Sequence, residues 1–169
     1  LTYMSFRPTS GTITIPGGNY GSTGTLQVYF YNATVGSGSA YISGNITTLG
    51  EIWVLGNTAK TGVSFYTQNT SGTGYDITAQ ELTIGHSSNK APVTFNVHDD
   101  TTMDLGNIGL HVYTDGGGSH VLYLNASTVT CAGDWVLSSG TGEITQMAQT
   151  GSSVTFDGTG TKTIIGATN

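Results

Sequence analysis

The chain has 169 residues, enough for one folding unit or a stack of small repeats, and 36% of it is hydrophobic while only 8% is charged, about a third of the usual charged share. A formal charge of −6, with Arg7, Lys60, Lys90 and Lys162 as the cations, leaves no basic stripe for a phosphate backbone or an anionic bilayer, so binding to nucleic acid or a membrane surface is excluded. No apolar run is long enough to span a membrane, and a single cysteine, Cys131, rules out an intrachain disulfide framework and a paired-cysteine zinc site.

Apolar and β-branched runs fall at residues 12–15, 26–30, 40–42, 51–55, 63–66, 82–84, 93–97, 110–113, 121–124, 134–137, 154–156 and 163–165, separated by Gly, Asn, Asp and Ser clusters. Thr fits a half-buried pleated surface and Gly fits tight turns, while neither favours a helix interior, so the expected class is all-β. Val93, Phe95 and Val97 alternate with Thr94 and Asn96, which puts one face of a strand in the core and the other in water. Only residues 78–82 suggest a helical turn. Strands at about 12-residue spacing fit an antiparallel β-sandwich or a β-solenoid with rungs of about 20 to 25 residues. Two-residue hairpin turns are scarce, Asp115-Gly116 and Asp157-Gly158 being the exceptions, and this favours a right-handed parallel β-helix or β-solenoid over the sandwich. The whole of 1–169 is expected to form one such domain.

The C-terminal third carries a resemblance. Residues 127–138 (STVTCAGDWVLS), 140–144 (GTGEI) and 153–166 (SVTFDGTGTKTIIG) resemble a repeat of large secreted bacterial and archaeal surface proteins. That repeat runs as a strand, G-D/N-W, a turn, G-x-F/I and then S-x-V-x-F-x-G-x-G-x-x-x-I-x-G. The resemblance implies a right-handed parallel β-helix of the kind found in adhesins and cell-envelope proteins. In such repeats the terminal I-x-G leads into x-x-N-L-T-h, where h is apolar. Here Ala167-Thr168-Asn169 followed by Leu1-Thr2-Tyr3 would continue the pattern, as in a longer array or a head-to-tail stack of identical units. The chain opens without an initiator Met or a signal sequence, as a processed, exported chain would.

For candidate sites, an exported chain makes the sequons at Asn32, Asn45, Asn69 and Asn125 glycan acceptors. His98 and His120 lie about one rung apart, and with Asp99, Asp100 and Asp104 they form the weak candidate for a metal site. No helix spacing supports that site, and polar turns with solvated imidazoles are the plainer expectation, so no cofactor is assigned. A structural calcium would draw on Asp99, Asp100, Asp104, Asp115, Asp134 or Asp157, but neither an EF-hand nor a calcium β-roll repeat is present. The stretch 158–163 lacks the Gly before Lys162 that a phosphate loop needs. Polysaccharide cleavage requires two opposed carboxylates or a base with nearby cations, and neither can be paired from spacing, so the chain reads as a non-enzyme.

The expected role is a structural subunit of an extracellular filament, sheath, surface layer or stalk that self-associates through strand edges. The expected partner is the chain itself. Its assembly residues are Leu1, Thr2, Tyr3 and Met4 at one end and Thr163, Ile164 and Ile165 at the other, with Tyr29, Phe30 and Tyr31 as a contact surface. Cys131 is either a buried small hydrophobe or an interchain thiol. The alternative is a carbohydrate-binding adhesin or fibre domain that uses surface glycans, with tyrosines such as Tyr41, or Trp53 and Trp135, as stacking platforms.

Overall fold

The computed structural model describes residues 3–6, 11–21, 25–30, 38–56, 62–85, 91–113, 120–137 and 151–166. In chain order the strands are β1 (Tyr3–Phe6), β2 (Gly11–Ile15), β3 (Gly18–Asn19), β4 (Thr25–Phe30), β5 (Gly38–Ile42), β6 (Ile46–Thr47), β7 (Glu51–Gly56) and β8 (Val63–Tyr66). The second half comprises β9 (Ile77–Ile84), β10 (Val93–Asn96), β11 (Thr102–Val112), β12 (Val121–Tyr123), β13 (Thr128–Cys131), β14 (Asp134–Val136), β15 (Ser153–Phe156) and β16 (Ile164–Ile165). There is no helix among the described residues, and residues 78–82 lie inside β9.

Every strand pairs in parallel with a strand of a neighbouring rung, and those inside a ladder pair on both sides, which makes the fold a β-solenoid with three ladders. One runs β2, β5, β8, β10, β12. A second runs β3, β6, the first part of β9, the first part of β11, β13, β15. The third runs β1, β4, β7, the second part of β9, the second part of β11, β14, β16. The sandwich is thereby replaced, since a sandwich is built from antiparallel neighbours. The only antiparallel bridge among the described residues is the isolated pair Gln68 and Gly74.

Alternation then builds the core, because in-register parallel pairing keeps each inward residue above an inward residue. Leu26, Ile52, Leu82, Leu110 and Trp135 form one buried column, and Ala40, Phe65, Phe95 and Leu122 another. Phe65 and Phe95 lie face to face with ring centroids 4.8 Å apart, which is the strand spacing itself. Buried hydrophobic residues from all three ladders form a single cluster.

The rungs differ in length, from 22 residues between Tyr3 and Thr25 to 31 between Ile46 and Ile77. The 20-to-25-residue expectation is too short because the corners take loops of different size while the strands stay in register. At one corner β11 turns between two ladders through a register shift from Leu105 to Gly109. Gly109 has φ +98°, and a Cβ there would fall 2.0 Å from the Asp134 carbonyl oxygen of the next rung. Gly160, with φ +85°, has nothing within 4 Å of such a Cβ. Gly160→Ala is therefore expected to cost about 1 kcal/mol of backbone strain. Gly109→Ala must also push a rung aside and should cost at least about 3 kcal/mol, as read from the midpoints of urea unfolding curves.

Candidate functional site

The third ladder ends in apolar surface. The column Leu26, Ile52, Leu82, Leu110, Trp135 is preceded by Met4 and followed by Ile164, which are 40% and 60% exposed because no described rung covers them. The neighbouring column runs Phe6, Val28, Val54, Ile84, Val112, Leu137 and then Gly166, the residue beside Ile165. Glycine leaves that column without a side chain on the last rung. The result is an apolar concavity of about 270 Å³ lined by Trp135, Leu137, Val154, Phe156, Ile164 and Gly166. Trp135 forms its floor, edge-on to Phe156 at 5.9 Å, and is 3% exposed, so it is a core residue and not a surface stacking platform.

The acidic residues mostly clamp one rung to the next. Asp76 Oδ1 accepts from the Thr102 backbone N–H at 2.8 Å, Asp99 Oδ1 from Ala126 N–H at 2.9 Å and Asp134 Oδ1 from Thr163 N–H at 2.9 Å. Asp104 accepts from the Thr130 hydroxyl at 2.6 Å. Four carboxylates thus hold the adjoining rung at four separate places, and no group of three or more His, Cys, Asp or Glu among the described residues is arranged to hold a metal ion.

His98 and His120 do not stack. The register puts His120 over Val93, and His98, two residues past the end of β10, beside Asn125. His120 is buried, accepts from the Val93 N–H through Nδ1 at 3.1 Å and has its pKa lowered by burial. The His98 imidazole turns back onto the Asp99 carbonyl at 2.6 Å. Asp100 sits in the turn that follows, with φ 59°. His86 and Asp115 lie outside the described residues.

One carboxylate pair is brought together by the fold alone. Glu51 and Glu81 are 30 residues apart and directly paired in β7 and β9. The Thr83 hydroxyl lies 2.6 Å from Glu51 Oε1 and 3.2 Å from Glu81 Oε1. His111 Nδ1, one rung further on, donates to Glu81 Oε1 at 2.7 Å. Burial pushes the Glu51 carboxyl up to about 7; the Glu81 charge adds to this, while the Thr83 hydrogen bond and His111 oppose it. Two carboxylates on one hydroxyl are best accommodated when one of them is protonated.

The described sequons differ. Asn69 accepts from Ser71 and Thr73 N–H through Oδ1 and donates to the Tyr75 hydroxyl. Asn125, at φ 47°, donates to the Val97 carbonyl, and its sequon partner Ser127 is buried. Asn45 is exposed and uses Oδ1 alone, accepting from Asp76 N–H at 3.0 Å. Asn32 lies outside the described residues, as do Leu1, Thr2 and Tyr31, while Tyr29 and Phe30 belong to β4. Cys131 is 0% exposed, with burial raising its thiol pKa, so an interchain disulfide at this position requires the rung to open.

Two outcomes are expected. Because the folded value of Glu51 lies above its unfolded value, the folded chain binds more protons between about pH 4.5 and 7, and this group's contribution to stability falls as pH rises through that window. Glu51→Gln should therefore melt at the same temperature as wild type at pH 4.5 and above it at pH 8. In a host with an N-glycosylation pathway, peptide mapping by mass spectrometry should find glycan on Asn45 and none on Asn69 or Asn125.

No protein-family model, curated protein or solved structure matches the chain.

Proposed function

We propose that the chain is a structural unit of an extracellular assembly, a filament, sheath, surface layer or stalk, that grows by adding the first rung of one copy to the last rung of another. The observation that carries this reading is the third ladder, whose inward columns are apolar along their length and exposed at both ends, at Met4 and at Ile164. Translation along the solenoid axis keeps the strands parallel, so β1 of a second copy can pair with β16 without any change of fold. Such a heterologous contact repeats without closing.

The register follows from the columns. Met4 of the added copy lies over Ile164, Ser5 over Ile165 and Phe6 over Gly166, where the missing side chain leaves room for the ring. Burying apolar side chains at such a junction contributes roughly 1.5–3 kcal/mol each, and backbone ladders supply the direction. Few charges meet there, so the assembly should be weakly dependent on salt.

Sedimentation velocity and electron microscopy of concentrated protein should show end-to-end filaments that persist in 1 M NaCl. Ile164→Lys should abolish them with an unchanged melting temperature, since its side chain is exposed in the single copy. The outward pair Ser5→Cys with Ile165→Cys should give a covalent ladder of oligomers on mild oxidation, and either single variant should not. A chain that sediments as a monomer at every concentration, with no cross-linked ladder, overturns the reading.

A further inference from the structure

The flank of the solenoid holds a groove that takes no part in end-to-end stacking. On the outer face of the first ladder, the register aligns Thr14, Tyr41, Tyr66, Asn96 and Tyr123 on successive rungs. Tyr41 and Tyr66 are stacked, with ring centroids 4.6 Å apart and planes 10° from parallel. The stack stops at Asn96, whose side chain is too short to cover the ring below it. Where it stops, a polar groove of about 280 Å³ opens, lined by Tyr66, Gln68, Asn96, His98, Asp99 and Asn125.

The lining is chemically specific. One face of Tyr66 is taken by Tyr41, and the other looks over Asn96 into the groove. The side-chain amides of Gln68 and Asn96 have no hydrogen-bond partner among the described residues. Asn125 spends its amide nitrogen on the Val97 carbonyl and so presents an oxygen. Asp99 commits Oδ1 to Ala126 N–H and keeps its second oxygen. These groups offer both donors and acceptors around an aromatic face. No Lys or Arg lines the groove, and one carboxylate does.

We propose that this groove is a binding site for a neutral carbohydrate, with one pyranose ring stacked on Tyr66 and its hydroxyls bonded by Gln68, Asn96, Asp99 and Asn125. A pyranose has an apolar C–H face to lay on an aromatic ring and a rim of hydroxyls that demands planar donors and acceptors. A nucleotide would also stack, but its phosphate would meet Asp99 on a chain of net charge −6. An open groove of this size holds about one or two rings, so the affinity belongs in the high micromolar to millimolar range. The site lies on the flank, so it stands or falls independently of the end-to-end assembly.

The test is saturation-transfer-difference NMR of the whole chain against a fixed panel: cellotetraose, maltotetraose, N-acetylchitotetraose, mannotetraose and the acidic tetragalacturonate. At least one neutral member should show transfer, strongest at the C–H protons of a single ring, and tetragalacturonate should show none. Asn96→Tyr continues the tyrosine stack and fills the groove; it should keep or raise the melting temperature and lower affinity at least tenfold. Tyr66→Leu, which keeps apolar bulk on the flank, should lower affinity to a similar extent. The proposal is overturned if no neutral member binds, if the acidic oligosaccharide binds best, or if binding survives Asn96→Tyr.

Discussion

Everything in this molecule depends on parallel, in-register pairing of each rung with the next. Backbone bonds between rungs satisfy the peptide groups, and because the pairing is parallel a residue meets the residue at the same position of the neighbouring rung. A choice made once is therefore repeated along a column. Inward positions become continuous stacks such as Phe65 on Phe95, and outward positions become stacks such as Tyr41 on Tyr66. The solenoid needs no pattern beyond alternation within each strand and agreement between strands.

The corners tolerate differences that the strands do not. Rungs of 22 and 30 residues sit in the same stack, so insertions are absorbed between strands while the columns continue. Side-chain oxygens at or near these corners substitute for the backbone ladder where it is interrupted. Asn45 holds Asp76, Asp76 holds Thr102, Asp99 holds Ala126 and Asp134 holds Thr163, each through a backbone N–H. The acidic residues thereby serve as clamps between rungs, and a carboxylate used in this way loses much of its capacity to coordinate a metal.

All twelve apolar runs seen in the sequence lie in or overlap strands, because alternation and Gly-rich breaks are local signals. Shorter or less apolar strands were less legible. Ile46–Thr47 and Gly18–Asn19 have two residues each, and Thr102–Leu105 continues into Leu110–Val112 across a bulge that no local pattern marks. Contacts between rungs were the least legible, since they depend on the exact number of residues at each corner. His98 and His120 are 22 apart, a separation that equals one rung near the start of the chain but not in theirs, where Phe95 pairs with Leu122. The pairing of Glu51 with Glu81 is hidden for the same reason: their 30-residue separation is a rung length only at that point in the stack.

The same column logic explains why only 8% of the chain is charged. In an in-register stack, a charged outward position tends to meet a like charge at the strand spacing of about 4.8 Å. Repulsion between unit charges at about that distance runs from roughly 1 kcal/mol in water to roughly 4 kcal/mol near a protein surface. Thr, Ser and Asn stack without that cost and can hydrogen-bond along the column. The column through Glu51 and Glu81 is the exception, and there the like charge adds to the effect of burial. A hydroxyl lies between the two carboxylates, a histidine from the next rung hydrogen-bonds Glu81, and the Glu51 carboxyl is pushed up to about 7, chiefly by burial and in smaller part by the Glu81 charge. A surface of hydroxyls and amides is therefore what a parallel stack selects on electrostatic grounds.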